Sequence, residues 1–224
     1  MSSSDFLRKN KNQHSVKNFD SKSMDKAIDV AVVHVLKTLQ KEYPSIKFMH
    51  DKSMHLTEII NELKKTYKKY DFSSVLDSSF IKPDGGFIYF YDNEGKRQFV
   101  LISEVKRQGT NDKRKKEGLP KQAQGNAIER LGKNLTGIRA LLNQEGIIPF
   151  VTFGHGHDFV EGSSILDRVV TMNQFFPLNT IFVEKSFLPF EPVTMMFREK
   201  EWGAKEMQNV LLEVSRRAMK FYGF

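Results

Sequence analysis

At 224 residues, with 39% hydrophobic and 28% charged residues, the chain can bury a sizeable core and is too mixed in composition to be disordered or fibrous. A count of 35 Lys and Arg against 27 Asp and Glu gives a formal net charge of +8, which favours a polyanionic partner, and the absence of cysteine excludes disulfides and thiolate chemistry. No stretch approaches the roughly 18 consecutive apolar residues of a transmembrane helix, and the polar start lacks a signal-peptide core, so a cytoplasmic protein with no membrane partner is expected.

Residues 1–22, rich in Ser, Asn and Lys without periodicity, read as a flexible arm, leaving 23–224 as a single domain. From Ser23, a plausible N-cap, the residues Ala27, Ile28, Ala31, Val32, Val35, Leu36 and Leu39 recur at helical spacing. The pattern predicts a second helix over 55–69, on whose polar face Glu58 reads as a solvated side chain. Two apolar runs, FIYFYD and RQFVLISEVK, flank a turn at Asn93-Glu94-Gly95 and predict an antiparallel hairpin. A basic segment around Lys113 to Lys116 follows, read as a solvated loop or an arm that embraces a polyanion. Beyond it the pattern predicts a helix over 126–143, a strand in GIIPFVTFG, a helix over 164–175, a strand in NTIFVEK and a helix over 203–221. Strands alternating with helices make this an α/β fold, a central mixed β-sheet flanked by helices.

The hairpin carries chemistry. A turn centred on Glu94 sets Asp84 opposite Glu104, and side-chain alternation sends Glu104 and Lys106 to one face. Two carboxylates in one dry place repel, and a divalent cation resolves the conflict. Hard oxygen ligands suit Mg²⁺, which binds through one or two carboxylates and a substrate phosphate, so the arrangement invites a phosphodiester. A turn at Pro83-Asp84-Gly85-Gly86 and a surface ion pair between Glu104 and Lys106 are the plainer alternatives. Downstream, Asn126 followed three residues later by Glu129 is an N-capping pattern. The same segment suits base reading, since Asn pairs bidentately with adenine and Arg130 can donate to a purine. His155 and His157 have the spacing of a metal-ligand pair, but flanking glycines suggest a turn and we assign them no role.

Pro83-Asp84, a spacer of 19 residues and Glu104-Val105-Lys106 resemble the motif of the PD-(D/E)XK nucleases. The wording SSFIKPDGG, EVKRQG and GNAIERLGKN is similar to the EcoRI restriction endonuclease group in particular. The close match covers about residues 78–135, with scattered agreement at EYP, TEI, NELKK, LDR and REKEW. The resemblance implies a restriction-endonuclease-like fold and a type II endonuclease that cuts double-stranded DNA. It also implies that Asp84, Glu104 and the Val105 carbonyl bind Mg²⁺ while Lys106 assists the attacking water. It further implies that Asn126, Ala127 and Arg130 read a central AATT, that Glu129 organises them across a homodimer and that Lys133 contacts phosphate. A companion DNA methyltransferase is implied as well. Where the group has two arginines three apart ending in Leu-Asp-Arg, this chain keeps only Arg168, which leaves GAATTC, a purine-AATT-pyrimidine site or AATT alone open. A structure-specific repair nuclease of the same fold and a non-enzymatic DNA-binding module are the rival functions.

Overall fold

The computed structural model describes residues 26–107, 116–118, 126–156, 158–159, 163–185 and 189–224, with the backbone alone at 126 and 127. The expected arm at 1–22, the N-cap at Ser23, the basic residues at 113–115 and His157 lie outside the described residues.

Helix α1 covers residues 26–42 and ends just before Pro44, whose ring disfavours helical backbone in the residue ahead of it. Its inward residues, Ile28, Ala31, Val32, Val35 and Leu39, are at most 1% exposed, and each contributes roughly 1–3 kcal/mol by leaving water. Strands β1 (Met49–Asp51) and β2 (Met54–His55) lead into α2 (Leu56–Thr66). Then come β3 (Phe80–Ile81), β4 (Gly86–Tyr91), β5 (Arg97–Arg107), α3 (Asn126–Leu141), β6 (Phe150–His155), α4 (Ser164–Met172), β7 (Thr194–Arg198) and α5 (Ala204–Phe221).

Five strands form one sheet in the order β1-β4-β5-β6-β7, and β2 and β3 make a separate pair. The β1, β4 and β5 strands run antiparallel, whereas β5, β6 and β7 run parallel. This is the mixed sheet the sequence implies. One apolar cluster joins α1 and α5 to the face bearing Val105, Val151 and Phe153. The other joins α2, α3 and α4 to the face bearing Ile102, Phe150 and Met195. Both faces are covered, as a parallel sheet with apolar strands requires.

The predicted hairpin forms. Its turn is closed by Asp92, whose Oδ1 accepts from the amides of Glu94 and Lys96 at 3.0 and 2.8 Å. The predicted strand in NTIFVEK does not form, apart from one isolated bridge between Ile147 and Glu184. Side chains there take the place of the ladder. Thr194 Oγ1 accepts from the Phe182 amide and donates to its carbonyl, both at 3.0 Å. Asn179, at φ +58°, does the same for Phe197, at 2.8 and 3.1 Å. The strand at this position is instead β7, which the sequence reading leaves out.

Candidate active site

Two glycines bring Asp84 against β5. A side chain at Gly85 would start 2.0 Å from Ser103 Oγ, and at Gly86, where φ is +76°, it would start 2.4 Å from the Asp51 carbonyl oxygen. Only glycine fits at Gly86, and a side chain at Gly85 would force Ser103 to turn away. The Gly85 amide bonds the Ser103 carbonyl at 2.9 Å, and the Gly86 amide closes a turn on Pro83 at 3.0 Å.

The pairing register differs from the simple hairpin count. Tyr91 faces Arg97 and Tyr89 faces Phe99 as expected, but a bulge follows and Ile88 faces Leu101. Val100 is the extra residue, so Val100 and Leu101 both join the α1 and α5 cluster. Beyond the bulge Gly86 pairs with Ser103, which sets Asp84 level with Val105 and not opposite Glu104. Convergence survives this correction: Asp84 Oδ2 accepts from the Val105 amide at 3.1 Å and from Lys106 Nζ at 3.2 Å.

The ammonium of Lys106 sits among three oxygens from three residues. It contacts Asp84 Oδ2 at 3.2 Å, donates to the Val105 carbonyl at 3.0 Å and pairs with Glu104 Oε1. Glu104 is 1% exposed. Its Oε1 also accepts from Asn134 Nδ2 at 3.0 Å, while Oε2 has no hydrogen-bond partner among the described residues. Burial pushes the Glu104 carboxyl above the usual carboxylate range despite the opposing pull of Lys106. Burial alone would lower the pKa of Lys106, but Glu104 and Asp84 more than offset it and hold the amine above its ordinary value. Lys106 therefore stays charged.

This geometry tests whether the residues fit a divalent cation. The protein already places a positive charge at the meeting point of Asp84, Glu104 and the Val105 carbonyl, and a buried carboxylate oxygen remains for further coordination. Among the described residues no group of three or more His, Cys, Asp or Glu gathers to hold a metal, here or elsewhere, and this site supplies two carboxylates and a carbonyl. Two carboxylates and a carbonyl are the hard, sparse oxygen set that Mg²⁺ takes when water and a phosphate complete its shell. The set fits.

The sequence-predicted site residues divide clearly. Asp84, Glu104, Val105 and Lys106 come together as above. Glu129, Arg130 and Lys133 are exposed on α3, and Arg168 is exposed on α4. These two helices pack together, since a Cβ on Gly132 would lie 3.3 Å from Met172 Sδ. Asn126 and Ala127 lie in the first turn of α3, but their side chains are outside the described residues. Glu58 pairs with Arg97 at 3.1 Å and accepts from the His55 amide at 3.3 Å, so it is engaged at the start of β5, far from Glu104. His155 is buried at the end of β6. Asn134 was not singled out in the sequence. The available signal was an amide residue between Leu131 and Leu135 on an otherwise apolar helix stripe.

Comparison with known proteins agrees with this geometry. A family model described as Restriction endonuclease EcoRI matches residues 10–224. The type II restriction enzyme EcoRI of Escherichia coli is 29% identical over 239 residues, covering 88% of this chain and 86% of that protein. The type II restriction enzyme RsrI of Cereibacter sphaeroides is 25% identical over 231 residues, covering 88% of this chain and 83% of that protein. With a match across nearly its whole length and a mixed sheet of the restriction-endonuclease-like kind, the chain belongs to the EcoRI restriction endonuclease family.

Proposed function

We propose that this nuclease is a Mg²⁺-dependent type II endonuclease that hydrolyses double-stranded DNA at palindromic, AATT-centred sites. It works as a homodimer whose protomers each cut one strand, with residues 23–224 serving as one catalytic and DNA-recognition domain. The observation that carries the reading is the Lys106 ammonium seated on Asp84, Glu104 and the Val105 carbonyl, because this is where the chain itself favours a cation. Those three groups would hold Mg²⁺. When bound, the ion supplies charge neutralisation at the scissile phosphate and a lowered pKa for a coordinated water.

The remaining chemistry belongs to the chain. Lys106 Nζ orients or activates the attacking water and offsets charge on the phosphate. Water attacks phosphorus, the bond to the 3′ oxygen breaks, and a 5′-phosphate and a 3′-hydroxyl remain. Asn126, Ala127 and Arg130 read the adenines, with about 1–3 kcal/mol of discrimination for each bidentate contact. Glu129 organises them, Lys133 contacts phosphate, and Arg168 contacts the DNA. The exposure of Glu129, Arg130, Lys133 and Arg168 supports these roles. A two-fold site read on both strands calls for two-fold protein symmetry. A companion methyltransferase would protect host DNA.

The test is a digest of DNA containing every NAATTN hexamer, with and without Mg²⁺, followed by sequencing of the ends. Metal-dependent ends confined to AATT-centred sites are expected and would reveal the flanking rule. Cuts scattered without regard to AATT would remove the recognition reading, and intact DNA despite tight binding would remove the catalytic one.

A further inference from the structure

Two polar atoms beside the catalytic cluster, Glu104 Oε2 and Thr152 Oγ1, are buried without a hydrogen-bond partner among the described residues. Their residues are neighbours on adjacent strands. Strands β5 and β6 are parallel, and their register pairs Glu104 with Thr152. Register partners on adjacent strands project to the same face, about 4.8 Å apart along the hydrogen-bonding direction. Thr152 is 0% exposed, and its flanking partners on that face, Phe150 and Gly154, offer no polar side chain. A hydroxyl enclosed in this way is costly unless it meets an acceptor.

We propose that Thr152 is a positioning residue for Glu104: its hydroxyl donates to Oε2, directly or through one water, while Asn134 holds Oε1. The inference rests on the reading of Glu104 as a metal-binding acid. A carboxylate oxygen has two lone-pair sites, so Oε2 can accept the hydroxyl on one and face a cation with the other. Hydrogen bonds of this outer kind orient ligating carboxylates, and losing one typically costs about 10–100-fold in metal affinity or activity. Thr152 and Asn134 come from β6 and α3, the two described elements that follow β5 in sequence. Asn134 stands about two turns beyond Asn126 on the same helix.

The experiment compares the parent with Thr152→Val, which keeps the shape and removes the hydroxyl, and Thr152→Ser, which keeps the hydroxyl. Three quantities are measured on the full chain: the Mg²⁺ concentration for half-maximal cleavage, the affinity of Ca²⁺ for the protein–DNA complex by calorimetry, and the melting temperature without metal. For Thr152→Val the Mg²⁺ requirement should rise about tenfold or more, with a matching loss of Ca²⁺ affinity and an unchanged KM for DNA. Thr152→Ser should stay within about threefold of the parent, a far smaller change than the 10–100-fold loss of an outer hydrogen bond. A valine variant with altered melting but the parent's metal dependence would overturn the proposal and leave the proposed function intact. A parent that neither needs nor binds a divalent cation would bring both down.

Discussion

Lys106 shows how one side chain can hold two incompatible neighbours. Glu104 is almost wholly buried and Asp84 partly so, and the ammonium between them is what makes a buried carboxylate tolerable. Lys106→Met should therefore destabilise the metal-free chain by about 3–5 kcal/mol in chemical denaturation, because a buried charge loses its partner. Added divalent cation should restore more stability to this variant than to the parent. Equal responses would mean that the ammonium does not occupy a cation site. Cleavage by the variant should fall by at least about 10²-fold, the usual cost of losing one charge-stabilising donor. The convergence of Asp84, Glu104 and Lys106 was legible because acids and a lysine are rare in apolar strands. Asn134, which bonds Glu104, was not, since an asparagine on a helix is unremarkable until its tertiary neighbours are known.

At the scale of elements, local signals succeeded where composition matched geometry. Helix α1 and the β4–β5 hairpin followed from periodicity and an Asp-Asn-Glu-Gly turn. The bulge at Val100 was hidden because Phe99-Val100-Leu101-Ile102 is apolar throughout, so no alternation betrays a change of face. Strand β7 was hidden for a related reason: its Thr-Met-Met-Phe-Arg sequence is short, is buried without alternation and gains its order from β6. Residues 179–185 have the composition of a strand, yet the Phe182 amide is taken by the Thr194 side chain, and the Asn179 side chain accepts from the Phe197 amide of β7. Asn179→Ala should cost about 2–3 kcal/mol, from two lost hydrogen bonds and an unfavourable positive φ. Asn179→Gly should recover the backbone part alone. Denaturant midpoints of the two variants would separate these effects, and identical midpoints would show that φ contributes nothing.

For the whole molecule, the docking of α5 links stability to pH. Glu206 accepts from the Gly203 amide at 2.9 Å and pairs with Arg198, whose guanidinium lies 3.6 Å from the centre of the Trp202 ring. Trp202 in turn donates to the Gly154 carbonyl at 3.0 Å, tying the helix start to β6. The hydrogen bond from Arg198, with that from Gly203, lowers the Glu206 pKa from 4.5 to about 2. A depressed folded pKa stabilises the chain above the unfolded value and loses that contribution as pH falls through the folded one. Thermal midpoints of Glu206→Gln should therefore lie below the parent's at pH 7, with the gap closing between about pH 4.5 and pH 2. A gap that persists at pH 2 would place the effect in packing. The two borders of the main sheet also constrain how copies can meet. At one border β1 has only three residues, and at the other β7 is covered by the chain's own 179–185 segment. Among the described residues neither offers a long row of free amides and carbonyls, which disfavours fusing two protomers' sheets into one continuous ribbon. A two-fold assembly that leaves these borders alone would let each copy keep a complete set of strands under its own Asp84, Glu104 and Lys106.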